Sequence, residues 1–161
     1  MPGMFTTRWL PLILLLLAAF AAAAIGGSAT ADSVRSWYPE LQKPTWNPPS
    51  WVFGPAWTLL YILMSVAVWR IWLRRDEVPG AITTLRLHAV QLIANAFWSI
   101  LFFGHRRPDL ALLEIGALWM LLAIIQFRLF RQDRVASLLW LPYLAWVTFA
   151  TALNAAIWRL N

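Results

Sequence analysis

The chain has 161 residues, of which 61% are hydrophobic and only 12% charged, well outside the range of a water-soluble domain. It has no cysteine, which excludes disulfides and thiolate chemistry, and its two histidines, His88 and His105, are too few for a dedicated metal cage. Thirteen Lys and Arg against seven Asp and Glu give a net charge of +6, but the cations stand at the ends of apolar runs, where they read as membrane-interface anchors and not as a nucleic-acid surface.

The apolar excess is gathered into five continuous runs. Crossing a bilayer takes about 20 helical residues, with a range of about 17–25. The first run, Trp9 to Ala24, is almost pure Leu, Ala and Ile, and with its flank predicts a helix over 9–29. Arg8, Leu10–Leu17 and the run Ala22-Ala23-Ala24 also resemble a cleaved leader, but the apolar stretch continues through Ile25-Gly26-Gly27, which favours a retained helix. Ala31 to Ser50 follows, dense in Pro and Trp. Its prolines Pro39, Pro44, Pro48 and Pro49 stiffen the chain, and Trp37, Tyr38 and Trp46 offer apolar area. We expect an ordered lid over one mouth of a helix bundle; the competing expectation is a Trp/Tyr belt lying in the headgroups.

The second run, Trp51–Leu73, carries no charge before Arg70. The third, Leu87–Phe103, predicts a helix over 86–104. The fourth, Leu110–Phe127, predicts one over 109–128, and the fifth, Val135–Ile157, one over 135–158. Continuous runs favour helix over strand, because lipid leaves no backbone group unpaired. The fold expected is therefore an all-α integral membrane bundle of five transmembrane helices in a single domain, with one long ordered loop between the first two and short connections over 74–84, 104–109 and 128–134. Five spans put the termini on opposite sides. Arg8, Arg70, Arg74, Arg75, Arg86, Arg128, Arg131 and Arg134 then share the N-terminal side, against Arg35, Lys43, Arg106, Arg107 and Arg159. That asymmetry favours a cytoplasmic N-terminus.

Polar residues inside the runs mark inward faces, since an unsatisfied amide facing lipid is costly. Gln91, Asn95, Trp98 and Phe102 share one face of the third helix, Tyr143, Trp146, Ala150 and Asn154 one face of the fifth, and Trp57 and Tyr61 one face of the second. Gln91 and Asn95 beside Trp98 suggest a concave aromatic pocket for a large, flat, apolar ligand with polar edges, with Tyr61 and Tyr143 expected among its ligand-binding residues; Asn154 reads as interhelical packing. Glu114 is the lone acid of its run and is expected near the interface or paired with Arg106 or Arg107. Ser65 and Ser99 have no histidine in register, so nucleophilic catalysis has no support, and no catalytic residue, cofactor or metal is expected.

Trp37-Tyr38, followed by Leu41-Gln42-Lys43-Pro44-Thr45-Trp46-Asn47-Pro48-Pro49, resembles the first-loop signature of the TspO / translocator protein family, also called the peripheral benzodiazepine receptor or tryptophan-rich sensory protein family. Trp51–Trp57 with Leu60-Tyr61 resembles its second helix. Gln91-Leu92, Asn95, Trp98 and Phe102-Phe103-Gly104 resemble its third, and Leu141–Trp146, Phe149–Thr151, Leu153-Asn154 and Trp158-Arg159 its fifth. The resemblance runs from Trp37 to Asn161; the first helix matches only in hydrophobicity. It implies a five-helix bundle, often a homodimer, that binds porphyrins such as protoporphyrin IX, with sterols and synthetic isoquinolines as further ligands of animal members. By position it implies a pocket of Trp37, Tyr38, Pro48, Trp57, Gln91, Asn95, Trp98, Trp146 and Ala150. Animal members carry a cholesterol-recognition pattern ending the fifth helix; here Ala155 stands where its Tyr is expected. Val34, Tyr38 and Lys43 fit that pattern inside a loop, which shows how little it discriminates. Tetrapyrrole is thus favoured over sterol, in a bacterial cell membrane, with no nucleic-acid partner. For a dimer, Gly116-Ala117 and Met120 offer a small-residue patch on the fourth helix. Three roles stay open: a receptor or sensor linked to tetrapyrrole metabolism or stress, a transporter of amphipathic molecules, and a Trp-dependent photooxidative enzyme degrading porphyrin.

Overall fold

The computed structural model describes residues 2–161. Five long helices account for most of them: α1 (Pro2–Ser36), α2 (Phe53–Leu73), α3 (Ala81–Ser99), α4 (Pro108–Gln132) and α5 (Arg134–Leu160). Each contains a segment long and apolar enough to span a bilayer. The lateral surface confirms what those helices are built for. Ile93, Leu113 and Leu138 are 71%, 74% and 67% exposed, an arrangement that costs little only where the surroundings are hydrocarbon.

The helices close a ring in the order α1, α2, α5, α4, α3, with α2 and α3 also touching across it. The core between them is formed by Met64, Val68 and Ile71 of α2, Ile115, Leu122, Ile125 and Leu129 of α4, and Trp140 and Val147 of α5. On α1 the inward residues are small. Ala19, Ala22 and Gly26 are buried, and a Cβ on Gly26 would stand 3.2 Å from the Ser99 Cβ, so the glycine lets α1 and α3 come close.

Helix ends are set by identifiable groups. Asp133 caps α5: its Oδ1 accepts from the backbone N–H of Val135 (2.9 Å) and Ala136 (3.0 Å). The Arg70 guanidinium grips the same carboxylate, with Nη2–Oδ2 2.9 Å and Nε–Oδ2 3.2 Å. Burial pushes the Asp133 carboxyl up, but these hydrogen bonds and the Arg70 charge outweigh it and hold the group below the usual carboxylate value. At the start of α3, Gly80 is left-handed (φ 73°), and a side chain there would meet Arg128 Nη2 at 2.7 Å. Arg128 instead donates to Gly80 O (2.8 Å) and Thr84 Oγ1 (3.0 Å), while Gln132 Nε2 donates to Pro79 O (3.0 Å).

These contacts explain where helix bounds differ from expectation. Thr83, Thr84 and Arg86 interrupt the apolar run, yet α3 begins at Ala81, because Thr84 is buried and donates to Gln132 Oε1 (2.8 Å). α4 continues to Gln132 because its polar end is spent on the α3 start, leaving Asp133 as the sole residue between α4 and α5. The largest departure is α1, which extends to Ser36, so the first part of the expected loop is helical. Ser28, Thr30 and Ser36 return their hydroxyls to the carbonyls of Ile25, Gly27 and Asp32, which keeps these polar residues compatible with helix.

What remains of the loop, residues 37–52, is ordered. Its ends are 3₁₀ turns at Tyr38–Glu40 and Ser50–Val52. All three donors of the Lys43 ammonium are spent on the carbonyls of Tyr38 (2.7 Å), Pro39 (3.2 Å) and Leu41 (2.8 Å). The Asn161 side chain brackets Gln42, accepting from its N–H and donating to its carbonyl, both at 3.0 Å, so the loop is tied to the end of α5. Trp46 stands edge-on to Phe149 of α5 at 5.8 Å.

Candidate functional site: an aromatic cavity under the first loop

A cavity of about 670 Å³ lies between α1, α2, α3 and α5, roofed by the loop. Its walls follow from helical spacing. Ala23, Gly27, Thr30 and Val34 recur at four, three and four on α1, Phe53, Trp57 and Tyr61 at four and four on α2, and Trp146, Ala150 and Asn154 likewise on α5. α3 contributes Asn95, Trp98 and Ser99. Beyond Ser99 it widens into a π-helical turn, Ile100–Gly104, closed by His105 N–H to Ile100 O (2.8 Å). The extra residue in that turn brings the adjacent Phe102 and Phe103 both to the cavity, where they pack at 4.8 Å between centroids. The exit from the turn puts Arg106 in the left-handed region at φ 53°.

Aromatic rings set the shape. Trp57 stacks on Tyr61 (5.6 Å) and stands T-shaped to Trp146 (6.4 Å), which is T-shaped to Phe53 (6.0 Å). Trp98 Nε1 donates to Asn154 Oδ1 (3.1 Å), and Asn154 Nδ2 donates to Pro108 O (2.7 Å), which fixes the indole plane. In the roof, the Tyr38 hydroxyl donates to Asn47 Oδ1 (3.1 Å), and burial raises that phenol above its ordinary value, so it stays a neutral donor. Lys43 supplies the charge at the roof and sits 4.9 Å from the Tyr38 ring centroid.

The floor is polar and closed. Tyr61 OH donates to Asn95 Oδ1 (2.7 Å), Asn95 Nδ2 to Tyr143 OH (3.2 Å), and Tyr143 OH to Gln91 Oε1 (2.8 Å). Gln91 Nε2 then meets His88 Nδ1 (3.1 Å) and Met64 Sδ (3.6 Å). Five buried polar side chains from three helices are thereby joined.

Of the residues expected in the pocket, Tyr38, Pro48, Trp57, Tyr61, Asn95, Trp98, Trp146 and Ala150 line the cavity. Three do not. Trp37 packs outside it, edge-on to Phe102 at 5.9 Å. Gln91 and Tyr143 are fully buried within the floor; Tyr143 meets the lining residues Asn95 and Trp57, and Gln91 lies one step deeper. Asn154, read as packing, both bridges helices and lines the wall. The α1 face and Phe53 were missed. The four-three-four spacing of small residues from Ala23 to Val34 carried the α1 signal, hidden by a leader-like composition. Glu114 does not make the expected ion pair with Arg106 or Arg107. Arg107 pairs with Asp109 (2.6 Å) instead, and Glu114 Oε2 is buried without a hydrogen-bond partner. Among the described residues no three His, Cys, Asp or Glu side chains come together as a metal group would require.

The sequence pattern of the TspO/MBR family matches residues 13–159. A tryptophan-rich sensory protein of Cereibacter sphaeroides is 41% identical over 142 residues, covering 86% of this chain and 87% of its own. The tryptophan-rich protein TspO of Archaeoglobus fulgidus is 41% identical over 155 residues, covering 94% and 97%. The human translocator protein is 34% identical over 157 residues, covering 95% and 91%. With its five spans and these relatives, the chain is a multi-pass integral membrane protein and belongs to the TspO/MBR family.

Proposed function

We propose that this protein is a membrane receptor that takes a porphyrin, or a similarly flat amphipathic molecule, into the cavity beneath its first loop, in a role linked to tetrapyrrole metabolism or stress. The observation that carries the reading is the cavity itself: about 670 Å³, walled by Trp57, Trp98, Trp146, Phe53 and Phe102, with one ammonium at its roof. Its volume lies inside the range of about 300–1,000 Å³ used by small-molecule sites. Indole and phenyl faces suit a macrocyclic π-system, and the positive charge of Lys43, whose donors are held by backbone carbonyls, favours acidic substituents near the roof. The hydrogen-bonded floor favours a receptor over a conduit, since a transported molecule would have to break Asn95, Tyr143 and Gln91 apart to pass. The protein acts as a homodimer in this reading, its copies meeting on the outward α4 strip of Gly116, Ala117 and Met120, where a Cβ on Gly116 meets nothing within 4 Å.

Titrating the full-length protein in detergent with protoporphyrin IX, read by quenching of tryptophan fluorescence, tests the receptor reading. Saturable quenching is expected; a linear, non-saturating response would overturn it. Illuminating the complex tests a second reading, favoured by the contact of Trp57 with Trp146 inside the cavity, in which bound porphyrin is photooxidised. Loss of the porphyrin absorption band that depends on those tryptophans would convert the receptor into an enzyme.

A further inference from the structure

The floor of the cavity has a direction. Gln91 Nε2 can only donate, so His88 Nδ1 must accept, and the neutral imidazole carries its proton on Nε2. In the structure its second hydrogen faces Met64 Sδ and its Oε1 accepts from Tyr143, while His88 Nε2, the nitrogen this tautomer protonates, is buried without a hydrogen-bond partner. Tyr143, having given its proton to Gln91, receives from Asn95 Nδ2; Asn95 Oδ1 in turn receives from Tyr61. Each amide has one donor end and one acceptor end, so fixing either terminus fixes every member between. His88 is 2% exposed, packs T-shaped on Trp140 at 5.9 Å, and does not line the cavity.

We infer that His88 is a specificity-determining residue of the cavity, acting through this chain from four side chains away. Resting on the receptor reading above, the inference adds the polarity of the ligand's inner edge. With His88 accepting at Nδ1, the Tyr61 proton is committed to Asn95, and the phenol oxygen offers the cavity lone pairs only. The Tyr61–Asn95 pair then presents an acceptor, with at most the second Asn95 N–H beside it. A ligand bearing a hydroxyl or N–H at that edge satisfies the pair; a bare carbonyl leaves the phenol lone pair facing an acceptor. Were the chain reversed, each amide would turn over, Tyr61 would donate into the cavity, and the preference would invert. His88 is therefore a positioning residue that reads the ligand without touching it.

Two measurements test this. The first is the imidazole ¹⁵N spectrum of ligand-free protein in lipid, carrying His105→Asn so that one histidine remains. The proton is expected on Nε2; an Nδ1–H tautomer overturns the inference whether or not any porphyrin binds. The second compares porphyrins bearing hydroxyethyl or acetyl groups in place of the vinyl groups of protoporphyrin. Wild type should bind the hydroxyethyl compound about tenfold tighter, the value of one hydrogen bond gained against one left unmade. His88→Gln, whose carbonyl can still accept from Gln91, should keep the preference. His88→Phe and Tyr61→Phe should bring the ratio near one. An undiminished preference in folded His88→Phe, or a wild-type preference for the acetyl compound, refutes the role of His88. If protoporphyrin and both analogues fail to bind, the receptor reading falls, and the tautomer still decides the direction of the chain.

Discussion

Trp146→Ala is the sharpest single test of the cavity. The indole is half-buried in the free protein, held by Phe53 at 6.0 Å, Trp57 at 6.4 Å and Phe149 at 5.6 Å, so one part of its surface stays turned to the cavity. A tryptophan presents about 150–250 Å² in all. If a ligand covers roughly 100 Å² of it, transfer at about 25 cal/mol per Å² gives about 2.5 kcal/mol, in line with the truncation of a central anchor. Porphyrin affinity should then fall by a factor of about 70. The indole contributes to packing too, so the assay pairs fluorescence titration with a thermal-unfolding control in the same detergent. A folded Trp146→Ala protein with unchanged affinity would remove Trp146 from the site and refute the reasoning.

Replacing Pro44, Pro48 and Pro49 together by Gly should speed porphyrin release with little change in association, read by stopped-flow displacement, because a stiff roof governs escape more than encounter; release at the wild-type rate would favour the headgroup-belt reading. Asn161→Ala should raise hydrogen exchange through residues 37–46 by opening the bracket on Gln42, while exchange in α2 and α4 stays unchanged. Asp133→Ala should destabilise the protein by about 1–2 kcal/mol through loss of the α5 cap. The Asp133 carboxyl is held below its unfolded value of 3.8, so its contribution is present above that pH and is lost as pH falls through the folded value; the variant should therefore lose less stability than wild type on acidification through that window. Chemical cross-linking in mild detergent should trap a dimer, and Ala117→Trp on the α4 strip should abolish it.

Number and order of spans were legible because lipid imposes one simple demand, an unbroken apolar run of membrane length. Bounds were less so, since they rest on side chains that meet only in three dimensions. Arg128 and Gln132 look like a terminus until Gly80 and Thr84 are opposite them. The site divided along the same line. Period alone placed Trp57, Tyr61, Asn95, Trp98, Trp146 and Ala150 on inward faces, and they line the cavity. Period cannot say how deep an inward residue lies, so Gln91 and Tyr143 were put in the pocket when they are the layer beneath it. The small residues of α1 carry no chemistry to notice, and their role became visible only as the wall they leave room for.

The ring order has a consequence for how the molecule is assembled. α2 is flanked by α1 and α5, and α5 sits between α2 and α4, so the ring has a gap until the last helix enters. Taken without α5, the contacts among α1 to α4 describe an open crescent. In that crescent the Gln91 carbonyl and one Asn95 N–H face hydrocarbon or stray water, because their partner, the Tyr143 hydroxyl, belongs to α5. Arrival of α5 does three jobs at once: it completes the amide–phenol chain, supplies Trp146 as the fourth side of the cavity, and brings Asn161 up to fasten Gln42. Without α5 the cavity has no fourth wall, and Gln91 and Asn95 each keep one partner and lose the other.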